Sequence, residues 1–430
     1  MTTPSDPSPV LTVVLDDDPT GTQSAAGATV LLDWDGDALR DTLRLHGSVY
    51  LQTNSRSLDR SAAVELARLT RAEILAAEQA LGRRVSVVLR GDSTLRGHTF
   101  SETAVFSDGS RPVLFVPAFP AGGRTTIDSI HRVVIDGVDV PVGETEFAHD
   151  PVFGFATSDL REYVAAGGMR PVPVSLQRLR ETGGSAVADT LTTASADDWV
   201  IPDAITDDDI RLIHHGLVKA AKRRDIVTRS AAPLAAHCAG VFSTGLLRPP
   251  LQVPAGPVLV ICGSHTAAAT RQLADVAATS GWHATVVDSE LAFDDPEAAA
   301  DRVIDAARAA LQHDGIAIIS TDRVRRAEHD TLEHGERIMG ALAIATRELA
   351  PHAAVIVSKG GITAAEVARV GLGASYARVR GQVFDGVSLW DYPADPLGRV
   401  QIVIPGNVGG PGMISDVLAA LPQRAARATS

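Results

Sequence analysis

The segment VLVICGSHTAAATRQL, residues 258–273, decides the fold reading. Val258–Ile261 is a short apolar run with the length and β-branching of a buried strand. A turn of small residues, Cys262–His265, follows it. The Ala-rich stretch Thr266–Thr279 then has helical spacing. The same strand, tight turn and helix recur in VIVSKGGITAAEV (residues 355–367) and IVIPGNVGGPGMISDVL (residues 402–418). Each places backbone N–H groups and a helix start beside a glycine that permits close approach, which suits an anion.

Working outward, strands are expected at Ala284–Val287, Ile316–Ser320, Ala354–Val357 and Arg399–Ile404. Helices are expected at Pro296–His313, Leu332–Leu349, Ala364–Val370 and Met413–Leu421. Toward the start of the chain, strand-like runs occur at Val10–Leu15, Thr29–Leu32, Val49–Gln52, Val85–Leu89, Val113–Val116 and Trp199–Ile201. Arg60–Leu81 and Asp207–Arg223 read as helices. Ala118–Asp150, rich in Gly, Pro and Asp, reads as a long functional loop region, with room for a hairpin. Alternating strands and helices imply an α/β fold. The Pro- and Gly-rich stretch Thr244–Gly256 divides the chain. The expectation is two domains, residues 1–245 and 246–430, each a largely parallel sheet flanked by helices, with the active site in the interdomain cleft.

Of 430 residues, 45% are hydrophobic and 21% charged, as in a globular protein. The net charge of −13 comes without a long basic run, so nucleic acid is not an expected partner. No apolar run reaches the ~20 residues of a membrane span. The two cysteines, Cys238 and Cys262, have no zinc-ligand spacing. The polar start lacks a signal-peptide pattern, and the expected location is cytoplasmic. A homo-oligomer stays open.

Three polar clusters end strands in the first half. Asp16-Asp17-Asp18 follows the first run, and three adjacent carboxylates are costly unless they meet a metal, a cation or substrate hydroxyls. Thr53–Ser57 contains Arg56, a bidentate partner for a carboxylate. Arg90–His98 combines Asp92, Ser93, Thr94, Leu95 and Arg96 in a loop suited to polyols and acids. In the second half, Lys359 either pairs with a phosphate or anchors a loop. P-loop, dinucleotide-loop and protein-kinase signatures are all missing from the sequence. Val13–Thr20 also fits the DxDxT pattern of haloacid-dehalogenase-type phosphatases, with Asp16 as nucleophile and Asp18 as general acid. The late acidic pair of those enzymes has no counterpart here.

DDDPTGTQ (16–23), TNSRSL (53–58), DSTLRGH (92–98), VPAFPAGGRTT (116–126) and ETEFAHDP (144–151) resemble the first half of the four-carbon acid sugar kinase family. CGSHTAAATRQL (262–273), SKGGITAAEVA (358–368), GQVFDGVSLW (381–390) and IPGNVGGPG (404–412) resemble its second half. The resemblance implies an acid-sugar-binding amino-terminal domain, an ATP-binding carboxy-terminal domain, and Mg²⁺ with the nucleotide. It carries substrate contacts onto Asp17 or Asp18, Arg56, and Asp92, Ser93, Thr94, Leu95 and Arg96. The base stays open among Asp17, Asp18 and Asp92. Nucleotide contacts fall on Ser264, Gly360, Gly361, Gly406 and Asn407; Lys359, Ile362 and Gly409, beside them in the same loops, are further candidates for the nucleotide. No metal ligands are implied. Two departures adjoin the substrate loops: Pro19-Thr20-Gly21-Thr22 where many members have Phe-Thr-Gly-Ala, and Arg90-Gly91-Asp92 where many have Lys-Xaa-Asp. Other readings are the phosphatase above and a sugar-acid sensor without turnover.

Overall fold

The computed structural model describes residues 10–135, 137–323 and 331–422. The chain forms two compact units. The first comprises the chain up to Gly21 and Ala28–Phe242, the second Thr22–Gly27 and the chain from Ser243 onward. Composition marks the later break but not the early six-residue segment, whose partners are remote in sequence. Within the second unit, the Trp390 indole donates to Thr22 Oγ1 at 3.1 Å and Gly27 N donates to Val379 O at 2.7 Å.

The first unit contains strands β1 (Leu11–Asp16), β2 (Thr29–Leu31), β3 (Ser48–Gln52), β4 (Val85–Arg90) and β5 (Val113–Val116). These are followed by β6 (Arg124–Ile127), β7 (Ile130–Ile135), β8 (Val138–Pro141), β9 (Arg170–Val174), β10 (Asp198–Pro202) and β11 (Val227–Ser230). Eight of them form a parallel sheet in the order β2-β3-β1-β4-β11-β5-β10-β9. β1 is buried throughout, as a central parallel strand flanked by helices must be. The edge strand β9 carries Pro171 and Pro173, which an edge tolerates because it needs fewer ladder donors. The helix Arg60–Leu81 starts where Asp59 caps Ala62 N at 2.9 Å.

The stretch expected as a loop, Ala118–Asp150, contains a separate antiparallel sheet, β6-β7-β8. Asp128 and Ser129 connect β6 to β7 with φ of 53° and 67°, the left-handed pair of a tight hairpin turn. Asp203, just after β10, accepts the N–H groups of Asp128 (3.0 Å), Ser129 (2.9 Å) and Leu176 (3.1 Å).

The second unit continues with β12 (Val258–Cys262), β13 (Thr285–Val287), β14 (Ile316–Thr321), β15 (Val355–Lys359), β16 (Tyr376–Phe384), β17 (Val387–Asp391) and β18 (Val400–Ile404). Their order is β13-β14-β12-β15-β18-β17-β16, parallel through β18 and antiparallel between β18 and β17 and between β17 and β16. Apolar clusters pack on both faces. The helix expected at Ala364–Val370 begins earlier, as Gly361–Glu366, and gives way to a wider turn at Val367–Gly371. Among the described residues no helix is long and apolar enough to cross a membrane.

Asp203→Ala should cost about 2 kcal/mol, because it strands three backbone donors, of which Ser129 N at the β6-β7 turn is buried. Denaturant unfolding measures this; a change below about 1 kcal/mol would disprove the bracing role.

Candidate functional site

In the first unit β1 lies between β3 and β4, so the chain leaves it toward both sides of the sheet. Ligands in open α/β sheets bind at such a reversal, outside the carboxyl ends of the strands. The loops after β1, β3 and β4 and the end of β11 meet there. Arg90, the last residue of β4, is 3% exposed. Its Nη1 stands 3.1 Å from Asp16 Oδ1, 3.1 Å from Asp17 Oδ1 and 3.2 Å from Asp18 Oδ1, while its Nη2 donates to Thr20 Oγ1 at 3.1 Å. Arg56 Nη2 pairs with Asp18 and, at 3.2 Å, with Asp17; its Nη1 lies 3.5 Å from Asp92 Oδ2.

Asp92 Oδ2 accepts Thr94 Oγ1 at 2.5 Å and Arg96 Nε at 2.7 Å. Burial pushes the Asp92 carboxyl upward, but Arg96, Arg56 and the Thr94 hydroxyl outweigh it and hold the group well below the usual carboxylate range. Asp16 is fully buried. Desolvation, opposed by Arg90 and aided by the Asp17 charge, raises its carboxyl to about 7. The candidate substrate residues Asp17, Asp18, Arg56, Asp92, Ser93, Thr94, Leu95 and Arg96 therefore converge within one unit.

Sequence reasoning overlooked the floor of this site. Arg229, from β11, donates to Glu102 Oε2 at 2.7 Å, and Glu102 Oε1 accepts Ser55 Oγ at 2.5 Å. A Cβ at Gly91 would lie 2.7 Å from Arg229 Nη2, and this contact accounts for the glycine. The available signal was a cation inside a short buried strand, VTRS, which needs a counter-ion. Asp17, Ser55, Glu102 and Arg229 line a cavity of about 10 Å³, room for one water.

The acidic trio is, among the described residues, the one cluster whose carboxylates come close enough to share a metal. It does not fit a resident cation, because Arg90 Nη1 already stands within hydrogen-bond range of all three carboxylates. The same arrangement removes the phosphatase reading. A covalent nucleophile must reach substrate, whereas Asp16 has 0% exposure and faces Arg90.

In the second unit, Ser264, Gly360 and Gly406 follow the adjacent parallel strands β12, β15 and β18. Gly360 and Gly409 have φ of 120° and 89°. A Cβ at Gly406 would come within 2.7 Å of Ser264 Oγ. Gly361 begins a helix, Asn407 is half-buried, and Ile362 is exposed. Lys359 is 0% exposed; its Nζ donates to Pro405 O at 2.7 Å and Val408 O at 3.0 Å. Of the two roles open to it, this is loop anchoring. Burial lowers its ammonium to about 7. Thr266 Oγ1 donates to Gly406 O at 2.7 Å, and Gln272 Nε2 donates to Val408 O, Gly409 O and Gly410 O at 3.0–3.2 Å. The loop's carbonyls are held by protein donors and so are turned away from the face where an anion would bind. The small-residue cradle fits a nucleotide phosphate.

The two departures from the family pattern face inward. Arg90 is buried against the three carboxylates. Thr22 is fully buried, with its hydroxyl against the Trp390 indole and 3.5 Å from Ser388 Oγ.

Because Asp16 titrates above its ordinary 3.8, folding takes up a proton between about pH 4 and 7. Its contribution to stability therefore falls as pH rises through that window. Asp16→Asn keeps an acceptor for Arg90 and should flatten this slope while leaving turnover largely intact. Unfolding free energies at pH 5 and pH 8 measure it, and an unchanged slope would refute the assignment. Lys359→Met should weaken ATP binding about tenfold, read by calorimetry, by releasing two loop carbonyls. Unaltered affinity would show that the loop holds without it.

Residues 12–238 match a family model described as a sugar-binding N-terminal domain, and residues 259–414 match a nucleotide-binding C-terminal domain. A protein of Salmonella typhimurium named D-threonate kinase is 29% identical over 350 residues, covering 76% of this chain and 78% of its own. One of Cupriavidus necator with the same name is 29% identical over 322 residues, covering 71% and 72%. The crystal structure of a Haemophilus influenzae protein shares the fold at 17% identity with a TM-score of 0.60, covering 96% of this chain and 100% of that one. With both halves matched in order, the chain belongs to the four-carbon acid sugar kinase family.

Proposed function

We propose that this sugar-acid kinase uses ATP to phosphorylate a hydroxyl of a four-carbon acid of the threonate, erythronate or oxo-tetronate type. The observation that carries the reading is the mixed cluster of Arg56, Arg96 and Asp92 on the loops after β3 and β4. A hydroxy acid needs a guanidinium for its carboxylate and an ionised carboxylate to accept from its hydroxyl, and the cluster offers both. The D-threonate kinase relatives support the four-carbon class.

Asp92 would orient the acceptor hydroxyl. Held ionised by Arg96 and Arg56, it is a weak base, which a loose phosphoryl-transfer transition state tolerates. Arg56 is fixed on one side by Asp17 and Asp18, so it is already oriented for an incoming acid. The loops bearing Ser264, Gly360 and Gly406 would receive the phosphates of ATP, with Mg²⁺ arriving in the nucleotide complex. No residue is assigned to that ion.

The test is ADP release with Mg-ATP against threonate, erythronate, their oxo forms and longer aldonates. A signal dependent on one four-carbon acid is expected. Arg56→Ala and Asp92→Asn should each lower kcat/KM for that acid about 100-fold or more. Silence across the panel with ATP binding intact would reject these acids and favour a sensor.

A further inference from the structure

We propose that His131 and Tyr163 are positioning residues that lock the backbone of the Ser93–Leu95 turn; the inference rests on the acid-kinase reading above. Leu95 has φ of 68°, a left-handed conformation that a leucine adopts only under constraint. The turn closes on itself through Leu95 N to Asp92 O at 3.2 Å. Two side chains from outside hold two of its carbonyls. His131 Nε2 meets Ser93 O at 2.8 Å, and Tyr163 OH donates to Leu95 O at 3.1 Å.

Both holders are themselves braced. His131, on β7, is 0% exposed, and its Nδ1 meets Thr126 Oγ1 at 3.0 Å. Nε2 faces a carbonyl and donates; in the neutral ring Nδ1 then accepts from the Thr126 hydroxyl. Burial, the largest influence, lowers its pKa to about 4 and favours the same state. Asp203 pins the Asp128-Ser129 turn that sets the register of β7. Tyr163 lies among Phe100, Phe115 and Phe155, with ring centroids 5.1–6.1 Å apart. The strained turn therefore carries Asp92 at its start and Arg96 at its end while two rigid elements hold its middle. Releasing either hold lets Leu95 relax and moves both charged groups off the acid.

The experiment compares wild type with His131→Ala, His131→Gln and Tyr163→Phe, measuring kcat, KM for the acid, KM for ATP and thermal melting. His131→Ala and Tyr163→Phe should each raise KM for the acid about tenfold with KM for ATP unchanged. His131→Gln, which restores a donor, should recover most of the loss. If His131→Ala fails to fold, Tyr163→Phe, which keeps the ring, decides alone. Wild-type KM for the acid in the folded variants overturns the proposal and leaves the kinase reading standing. A parallel rise in both KM values also overturns it, as a general loss of structure. A wild-type enzyme silent on every acid removes the functional reading and the proposal together.

Discussion

Charge closure beneath the β1 loop is the constraint on which the rest of the first unit depends. Asp16, Asp17 and Asp18 are 0%, 3% and 6% exposed. Three ionised carboxylates cannot stay buried without partners. Arg90 reaches all three because the parallel register places it beside Asp16 at the ends of neighbouring strands. Glu102 and Arg229 close a second pair underneath. The inner cluster of Asp16, Asp17, Asp18, Asp92 and Glu102 with Arg56, Arg90, Arg96 and Arg229 holds five acids and four guanidiniums. A proton on Asp16 balances it, in keeping with its raised pKa. At the rim of the cluster Arg56 and Arg96 keep 12% and 21% of their side chains exposed, while Asp92 keeps 6%.

The second unit solves an opposite problem with neutral groups. A loop that is to receive phosphate must turn its carbonyl dipoles away. Lys359, Thr266 and Gln272 take the carbonyls of Pro405, Gly406, Val408, Gly409 and Gly410. This explains why a lysine stands at the end of a fully buried strand without a carboxylate partner. Its role is to fix the backbone, and the glycines supply the close approach.

The parallel architecture was legible because buried strands are short, β-branched runs, and most of their ranges were read within a residue or two. The loops that converge were also legible, since polar residues at strand ends must serve something. Ala118–Asp150 left room for a hairpin, but its Gly, Pro and Asp content hid the strand ranges and the third strand, although those residues are what the turns require. Strand β9 was hidden by two prolines that only an edge accepts. Arg229 and Glu102 were out of reach because their meaning lies in a contact 127 positions apart. The segment Thr22–Gly27 was missed for the same reason.

The two departures from the family pattern test how far substrate identity follows from sequence. Both adjoin substrate loops in sequence, which is the argument for a different acid. In space Arg90 and Thr22 are buried and turned to protein partners. A lysine at position 90 would bring one ammonium to the trio, whereas the planar guanidinium engages three carboxylates through Nη1 and Thr20 through Nη2. Thr22 replaces an apolar methyl with a hydroxyl that accepts from the Trp390 indole N–H, which also donates to Ser388 Oγ at 3.1 Å. Each change adds a polar contact in the interior, which is a reason for it besides substrate. Under the proposed function, discrimination between acids would fall to Arg56, Asp92 and Arg96, which match the family motifs and lie on the loops after β3 and β4.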